Sequence, residues 1–226
     1  MIAENYLKGI EEILHTIERE EVEKLASIVA ERLDDDGLLY TFGCGHSQLL
    51  AEEVFYRAGG LVRIAPVLDP ALSVSQGGVK STECEELKDY GGLILDNYPI
   101  CERDCLLIIS NSGSGSVALD ICRAARERAI TTIALTSSRY QSKLLAMADY
   151  HIDNRVPVGD ATMDTGIGAM MGPVSGIVNG FILHWLSMEI AVRMKKKEIW
   201  MSSHAGGGKA HNEEYIARYR HRIKHL

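Results

Sequence analysis

Two clusters of glycine and serine have the composition of an anion-binding site. The first is GCGHS at 43–47 and the second is SNSGSGS at 110–116, and each lies between an apolar stretch and an amphipathic one. This order predicts a strand, a tight turn and the start of a helix, where backbone N–H groups have no partner within the helix. The helix dipole favours negative charge at the same point. The anion that we expect is the phosphate group of a small metabolite.

The second cluster carries the stronger signal, because it places four hydroxyl groups within seven residues. These serines are Ser110, Ser112, Ser114 and Ser116. Gly113 and Gly115 stand between them and allow tight backbone geometry. Four hydroxyl groups exceed what a single helix cap requires, so hydroxyls and backbone amides could surround a phosphate without any lysine.

The first cluster is shorter and its pattern is less specific. Gly43 and Gly45 allow a tight turn, and Ser47 stands at the start of the predicted helix. An ordinary N-terminal helix cap would explain the same residues, so this cluster alone leaves both interpretations open.

Four side chains near these clusters, or in flexible segments, are candidates for moving a proton. They are His46, Glu53, Glu83 and His204. A general acid or base must titrate near the working pH, which histidines and shifted carboxyl groups can do. The alternative for each is a solvated side chain, or an acid that the start of a helix favours in any case. His204 lies in the glycine-rich segment 202–215 with His211, but a third ligand at useful spacing is missing, so we predict no metal site.

The elements that must position these residues alternate along the chain. Apolar stretches predict strands at 38–42, 61–65, 105–110, 131–136 and 150–152, and helices are predicted at 2–33, 46–58, 116–128 and 140–148. Within 2–33 the charged stretch 18–24 is either a solvated helix face or a break between two helices. A further short helix is predicted to open with a capping box, Thr82 to Glu85. Strands that are apolar throughout and alternate with helices indicate an α/β fold with a parallel sheet covered on both faces.

Composition and charge exclude several classes of protein. The chain has 226 residues and a formal net charge of −7, which argues against binding to nucleic acid. The first residues lack the pattern of a signal peptide, and the five cysteines are an odd number, so we expect reduced thiols in the cytoplasm. We expect no cofactor.

One uncharged stretch, 165–188, is long enough to cross a bilayer. It contains Pro173, Asn179, His184 and several glycines, and an amphipathic pattern persists through it. We therefore expect a helix in the core or in a subunit interface, no membrane association, and at least a homodimer.

The two clusters together resemble those of the SIS (sugar isomerase) domain. The similar segments are FGCGHSQLLAEE at 42–53, ISNSGSGS at 109–116 and the apolar strand that ends at Thr136. The resemblance implies a flavodoxin-like three-layer sandwich with a five-stranded parallel sheet, usually in dimers or tetramers. The resemblance covers roughly residues 37–155. Because no linker rich in proline, glycine or serine divides the chain, we predict a single domain over 1–226, with an N-terminal helical arm at 1–36, a motif-bearing core at 37–155, and a C-terminal helix and tail at 156–226.

Most residues of the family's phosphosugar site have a match in this chain. Ser110 and Ser112 match the two serines of the family's second loop, and Ser47 matches the serine of its first loop. Gly115 stands where the family has a threonine, so Ser114 or Ser116 would replace that contact. The remaining loop residues expected to bind are Gly45, Asn111 and Gly113.

One position departs from the family's enzymes. The isomerase and etherase members resemble one another in a glutamate ten residues after the first-loop serine, and this chain has Arg57 there. The function that we expect is therefore phosphosugar binding, with aldose–ketose isomerisation through an enediol as the leading reaction. An etherase or lyase acting on an amino-sugar phosphate and a non-catalytic phosphosugar sensor are the alternatives, and Arg57 favours the sensor.

Overall fold

Five parallel strands form the central sheet, in the order β2-β1-β3-β4-β5. The computed structural model describes residues 1–204 and 206–226. The strands are β1 Leu39–Gly43, β2 Ile64–Val67, β3 Cys105–Ile109, β4 Thr131–Thr136 and β5 Tyr150–Asp153, and a separate antiparallel hairpin is formed by β6 Ala161–Asp164 and β7 Met170–Pro173. The parallel sheet and its five strands confirm the predicted fold class.

Helices cover both faces of this sheet. They are α1 Ile2–Leu14, α2 Arg19–Asp34, α3 His46–Glu53, α4 Gly78–Cys84, α5 Tyr90–Leu95, α6 Ser116–Glu127, α7 Lys143–Met147, α8 Ser175–Arg193 and α9 Gly208–Tyr219. Alternate strand residues face opposite layers: Leu107 and Ile109 join the core under α1, α2 and α8, whereas Leu106 and Ile108 join the core under α5 and α6. This alternation explains why the strands are apolar at every position.

The strand order reverses between β1 and β3. The chain leaves β1 in one direction to form β2, and it later returns on the other side of β1 to form β3. The loops after β1 and β3 therefore diverge and leave a crevice at the carboxyl ends of these strands. Ligands of open α/β folds bind at such a point.

The predicted helix 46–58 is too long, since α3 ends at Glu53. Tyr56 takes a positive φ of 45°, and the chain turns to meet the C-terminal segment. Gly59 N–H donates to Trp200 O at 2.8 Å, and Trp200 N–H donates to Gly60 O at 2.9 Å. A similar pairing, Val62 N–H to Glu198 O at 3.0 Å, explains why β2 starts only at Ile64.

The predicted capping box at Thr82 is wrong. Helix α4 already begins at Gly78, and the Thr82 hydroxyl donates to Gly78 O within the helix at 3.1 Å. Gly77, with φ of 125°, sets the start of the helix, and Glu85 caps its C-terminal end. Glu83 therefore stands in the last turn of a helix and not in the first.

The uncharged stretch after Thr165 is not a single helix. It begins with the turn of the hairpin at 165–169, continues as β7, and enters α8 only at Ser175. By length and composition alone α8 could cross a membrane. In the structure, however, 39% of its most apolar 18-residue stretch is buried inside the protein. Its inward residues Val178, Ile182, Leu186 and Ile190 belong to the core beneath the sheet. This packing fits the expected core helix.

A buried ion cluster attaches the C-terminal part of the chain to the sheet. Arg63 Nε lies 2.5 Å from Glu198 Oε2, and the same guanidinium donates to Leu33 O at 2.7 Å. Tyr219 OH donates to Glu198 Oε2 at 2.7 Å, and Arg218 Nη1 donates to Oε1 at 2.6 Å. Burial opposes ionisation of Glu198, but the hydrogen bonds from Arg63 and Tyr219 outweigh it and hold its pKa below the usual 4.5.

Glu198→Gln should lower the free energy of unfolding by about 3 kcal/mol at neutral pH, because it removes the buried partner of Arg63 and leaves only the exposed Asp36, 3.6 Å away. The folded-state pKa of Glu198 is lowered, so its stabilisation is present above pH 4.5 and is lost as the pH falls through the lower folded value. Urea denaturation at several pH values measures both effects.

The matched control is Glu214→Gln, which removes an exposed carboxylate 2.8 Å from Arg218 Nη2. Exposed ion pairs contribute less than about 1 kcal/mol, so this control should be nearly neutral. Equal destabilisation by both variants would show that the buried cluster does not anchor the C-terminal part of the chain.

Candidate anion-binding site

The loop after β1 is held tightly against the start of α3. A Cβ at Gly43 would lie 2.5 Å from the carbonyl carbon of Ser47, so only glycine permits this approach. Gly45 takes a positive φ of 58°, and its N–H donates to Leu72 O at 2.8 Å. The first turn of α3, which contains Ser47, is therefore held in a fixed position at the crevice.

The loop after β3 is equally constrained. Gly113 has a φ of 55°, and a Cβ there would overlap the Ser142 hydroxyl. The N–H of Gly113 donates to Ser110 Oγ at 3.2 Å, while its carbonyl accepts from Leu144 N at 3.1 Å. Contacts of this kind with the segment after β4 fix the loop before any ligand arrives.

Several donors of this second loop are free. In the part of the chain that the structure describes, the backbone N–H groups of Ser112, Ser114 and Ser116 donate to no protein acceptor, and neither does the Ser112 hydroxyl. These groups lie at or just before the start of α6, a helix of 12 residues. The arrangement combines unpaired donors with the positive end of a helix dipole, which favours an anion.

Two adjoining cavities open from these loops. The smaller has a volume of about 240 Å³ and is lined by Ser110, Ser112, Gly115 and Tyr140, among others. The larger has a volume of about 680 Å³ and extends towards Asp160 and the start of α8. Both are lined by Cys44, Ser47, Glu85 and Asn111, so these four residues mark the place where the cavities meet. Among the described residues, neither lining includes a lysine or arginine.

Glu85 is the carboxylate at this meeting point. Its own carbonyl accepts from Val117 N at 3.0 Å, which fixes it beside the first turn of α6. Burial raises the pKa of the Glu85 carboxyl, and the negative charge of Glu86 raises it further. A half-buried carboxyl with a raised pKa, open to a cavity, has the properties of a general acid or base.

Cys44 also lies where the cavities meet, but its thiol is not activated. Burial raises the pKa of Cys44 far above the usual value, and the nearby acids Glu85 and Asp69 add to the effect. The thiol is therefore protonated at neutral pH and is a poor nucleophile. Among residues 1–204 and 206–226, no cluster of three metal-ligating side chains is found.

The residues predicted to bind the anion do not all line the cavities. Gly45 and Ser47 line the larger cavity, and Ser110, Asn111 and Ser112 line the smaller. Gly113 is buried at the base of the loop and shapes it. Ser114 is exposed, and the Ser116 hydroxyl donates to Glu86 Oε2 at 3.3 Å, so these two offer chiefly their backbone N–H groups.

The structure brings one of the four predicted proton-transfer residues to the two cavities. His46 lines the larger cavity, whereas Glu83 is exposed on α4 and lines neither. Glu53 lies in a neighbouring cavity of about 470 Å³, paired with Arg57 and 3.7 Å from His184 Nε2. His204 is exposed and lines neither cavity; Ala205, which follows it, lies outside the described residues.

Sequence reasoning missed several residues that line the crevice, among them Glu85, Tyr140 and Asp160. Glu85 has a signal, since it lies in a polar segment between the two clusters, but the sequence pattern places it in the first turn of a helix. Asp160 accepts hydrogen bonds from Val174 N, Ser175 N and Ser175 Oγ, which joins the hairpin to α8. Nothing in the local sequence indicates this long-range role.

Fold and site together define a SIS domain. A model of the SIS domain family matches residues 5–137, more than half of the chain. The chain therefore belongs to the SIS-domain family.

One relative is similar to this chain over nearly the whole length of both proteins. The chain is 32% identical over 246 residues to a UPF0309 protein of Thermoanaerobacter pseudethanolicus, covering 97% of this chain and 99% of the relative.

Solved structures show the same fold at low identity. A phosphoheptose isomerase from Francisella tularensis is 16% identical with a TM-score of 0.57, covering 84% of this chain and 94% of that one. The sugar isomerase domain of the RpiR transcription factor from Sphaerobacter thermophilus is also 16% identical, with a TM-score of 0.54 and coverage of 96% and 94%. The fold thus occurs in an enzyme and in a transcription factor, and by itself does not distinguish between them.

Proposed function

We propose that this chain binds a sugar phosphate, with the phosphate in the loop after β3 and the sugar in the larger cavity. The observation that carries the proposal is the group of free donors on Ser112, Ser114 and Ser116, which lie at or just before the start of α6 in the described part of the chain. The adjoining space of about 680 Å³ has the dimensions of a small-ligand site.

We further propose aldose–ketose isomerisation as the reaction, with Glu85 as the group that moves the proton between C1 and C2. Binding the unreactive phosphate supplies free energy that orients the reacting carbons. Glu85 lies where the two cavities meet, next to the predicted phosphate position. Its raised pKa brings the carboxyl closer to the value that a general base needs near neutral pH.

Two alternatives each have an observation in their favour. The crevice is lined by Glu85, Glu86 and Asp160 without a described lysine or arginine, and this charge would suit the ammonium group of an amino-sugar phosphate, as in an etherase or lyase. Arg57, ion-paired with Glu53, stands where related isomerases have a glutamate, and this favours a sensor without catalysis.

We also propose a cytoplasmic homodimer or homotetramer. Exposed apolar residues cluster on the outer sides of α1 and α8, namely Leu7, Phe181, Met188 and Val192, with exposed fractions of 56%, 49%, 60% and 74%. A second copy that covers these side chains would remove a large apolar surface from water. Nucleic acid and membranes, which the sequence argues against as partners, play no part in this proposal.

Ser112→Ala should weaken binding of a sugar phosphate by about tenfold or more, because it removes one hydrogen bond to a charged group. Isothermal titration with a panel of phosphorylated aldoses and ketoses, and with the same sugars lacking phosphate, measures the effect. The control is Ser27→Ala on α2, whose exposed hydroxyl donates to Glu23 O, accepts from Arg193 Nε and lines neither cavity. If the wild-type protein bound none of the phosphorylated sugars, or bound the free sugars equally well, the proposed function would be wrong.

Glu85→Gln should lower kcat for isomerisation by about 10²–10⁴-fold while the sugar phosphate still binds, since the amide cannot accept the proton. In the wild type, kcat/KM should fall as the pH drops through the raised pKa of Glu85, because the base must be ionised. Glu83→Gln on the same segment is the matched control and should retain activity. Loss of turnover in Glu83→Gln but not in Glu85→Gln would transfer the role to Glu83, and binding without turnover in the wild type would favour the sensor.

A further inference from the structure

Three asparagine side chains form a closed hydrogen-bonded group behind the crevice. Asn154 Nδ2 lies 2.7 Å from Asn111 Oδ1 and 2.7 Å from Asn179 Oδ1, and Asn179 Nδ2 lies 3.0 Å from Asn111 Oδ1. Asn154 follows β5, Asn179 belongs to α8, and both are completely buried. Only Asn111, in the loop after β3, also lines the cavities.

The backbone determines which way each of these amides points. Val156 N–H donates to Asn154 Oδ1 at 3.1 Å, and a backbone N–H can only donate. Asn154 must therefore direct its Nδ2 towards the other two side chains. Asn179 consequently presents Oδ1 to Asn154, which leaves its own Nδ2 to donate to Asn111.

Asn111 is thereby left with one orientation. Its Oδ1 accepts two hydrogen bonds from the buried asparagines, so its Nδ2 is directed away from them. In residues 1–204 and 206–226 this Nδ2 group donates to no acceptor, although Asn111 lines both cavities. A donor that is fixed in this way and left without a partner is prepared for an acceptor that arrives with the ligand.

We propose that Asn154 and Asn179 are positioning residues that hold Asn111 with its Nδ2 in the crevice, so that the site selects a ligand oxygen able to accept a hydrogen bond where the two cavities meet. The inference rests on the proposed sugar-phosphate function. The acceptor is a carbonyl or hydroxyl oxygen of the sugar next to its phosphate. An ammonium group within reach of Asn111 Nδ2 would face another donor, so an amino sugar would have to place its nitrogen against the carboxylates of the crevice and away from Asn111.

Asn154→Asp tests this directly, because the two side chains have almost the same shape. The affinity is measured at high pH, because burial at this position raises the pKa of a carboxyl. Once ionised, the carboxylate can only accept, so Asn111 and Asn179 must turn their Nδ2 groups towards it, and Asn111 then presents Oδ1 to the crevice. We expect affinity for the sugar phosphate to fall about tenfold or more, whereas affinity for inorganic phosphate should change little. Asn97→Asp, which alters an exposed asparagine that donates to Leu93 O, controls for the added charge.

A second measurement uses the wild-type protein and does not depend on the folding of a variant. The side-chain amide protons of Asn111 should shift in ¹⁵N-resolved NMR when the sugar phosphate is added, while those of the buried Asn154 and Asn179 should remain nearly unchanged.

The outcomes separate the two proposals. A folded Asn154→Asp protein with wild-type affinity, or Asn111 amide protons that do not shift when the sugar phosphate binds, would overturn this inference alone. A wild-type protein that binds no sugar phosphate would overturn the proposed function and this inference with it.

Discussion

Unpaired backbone donors at the start of α6 are the feature on which the interpretation of this protein depends. A helix cannot satisfy its own first N–H groups, and here the side chains near them do not do so either. Ser116 directs its hydroxyl to Glu86, and Ser110 accepts from Gly113, so the loop keeps its shape without occupying these donors. The start of the helix therefore carries several N–H groups with partial positive charge, which favour a bound anion.

The topology of the sheet brings these donors close to the other residues of the site. Because the strand order reverses between β1 and β3, the loop containing Ser47 and the loop containing Ser112 border one crevice. The segment between β2 and β3 supplies Glu85. Helix α8 contributes Asn179, which accepts a hydrogen bond from Asn154, and Asn154 in turn donates to Asn111 in the loop after β3. Residues distant in sequence thus converge because the parallel topology places their loops at the same edge of the sheet.

The sequence predicts those structural features that depend on residues close together along the chain. Strand β4 is found at the predicted residues, Thr131–Thr136, because an apolar and β-branched run bounded by turns has few alternatives. The end of α3 is not predictable in this way, since the pairing of Gly59 and Gly60 with Trp200 joins segments about 140 residues apart.

The same distinction between local and long-range features holds for the residues of the site. Ser110, Ser112 and Ser47 are identifiable because turn chemistry and helix starts leave a local signature. Glu85 cannot be distinguished from Glu83 by sequence, because only the packing of the chain decides which carboxyl faces the crevice and which faces water.

A crystal structure of the protein grown with a sugar phosphate tests the central claim most directly. The account predicts phosphate oxygens within hydrogen-bond distance of the Ser112 and Ser116 backbone N–H groups, with the sugar extending past Glu85 into the larger cavity. A bound sugar phosphate whose phosphate lies elsewhere, with the loop after β3 making no contact to it, would contradict the account.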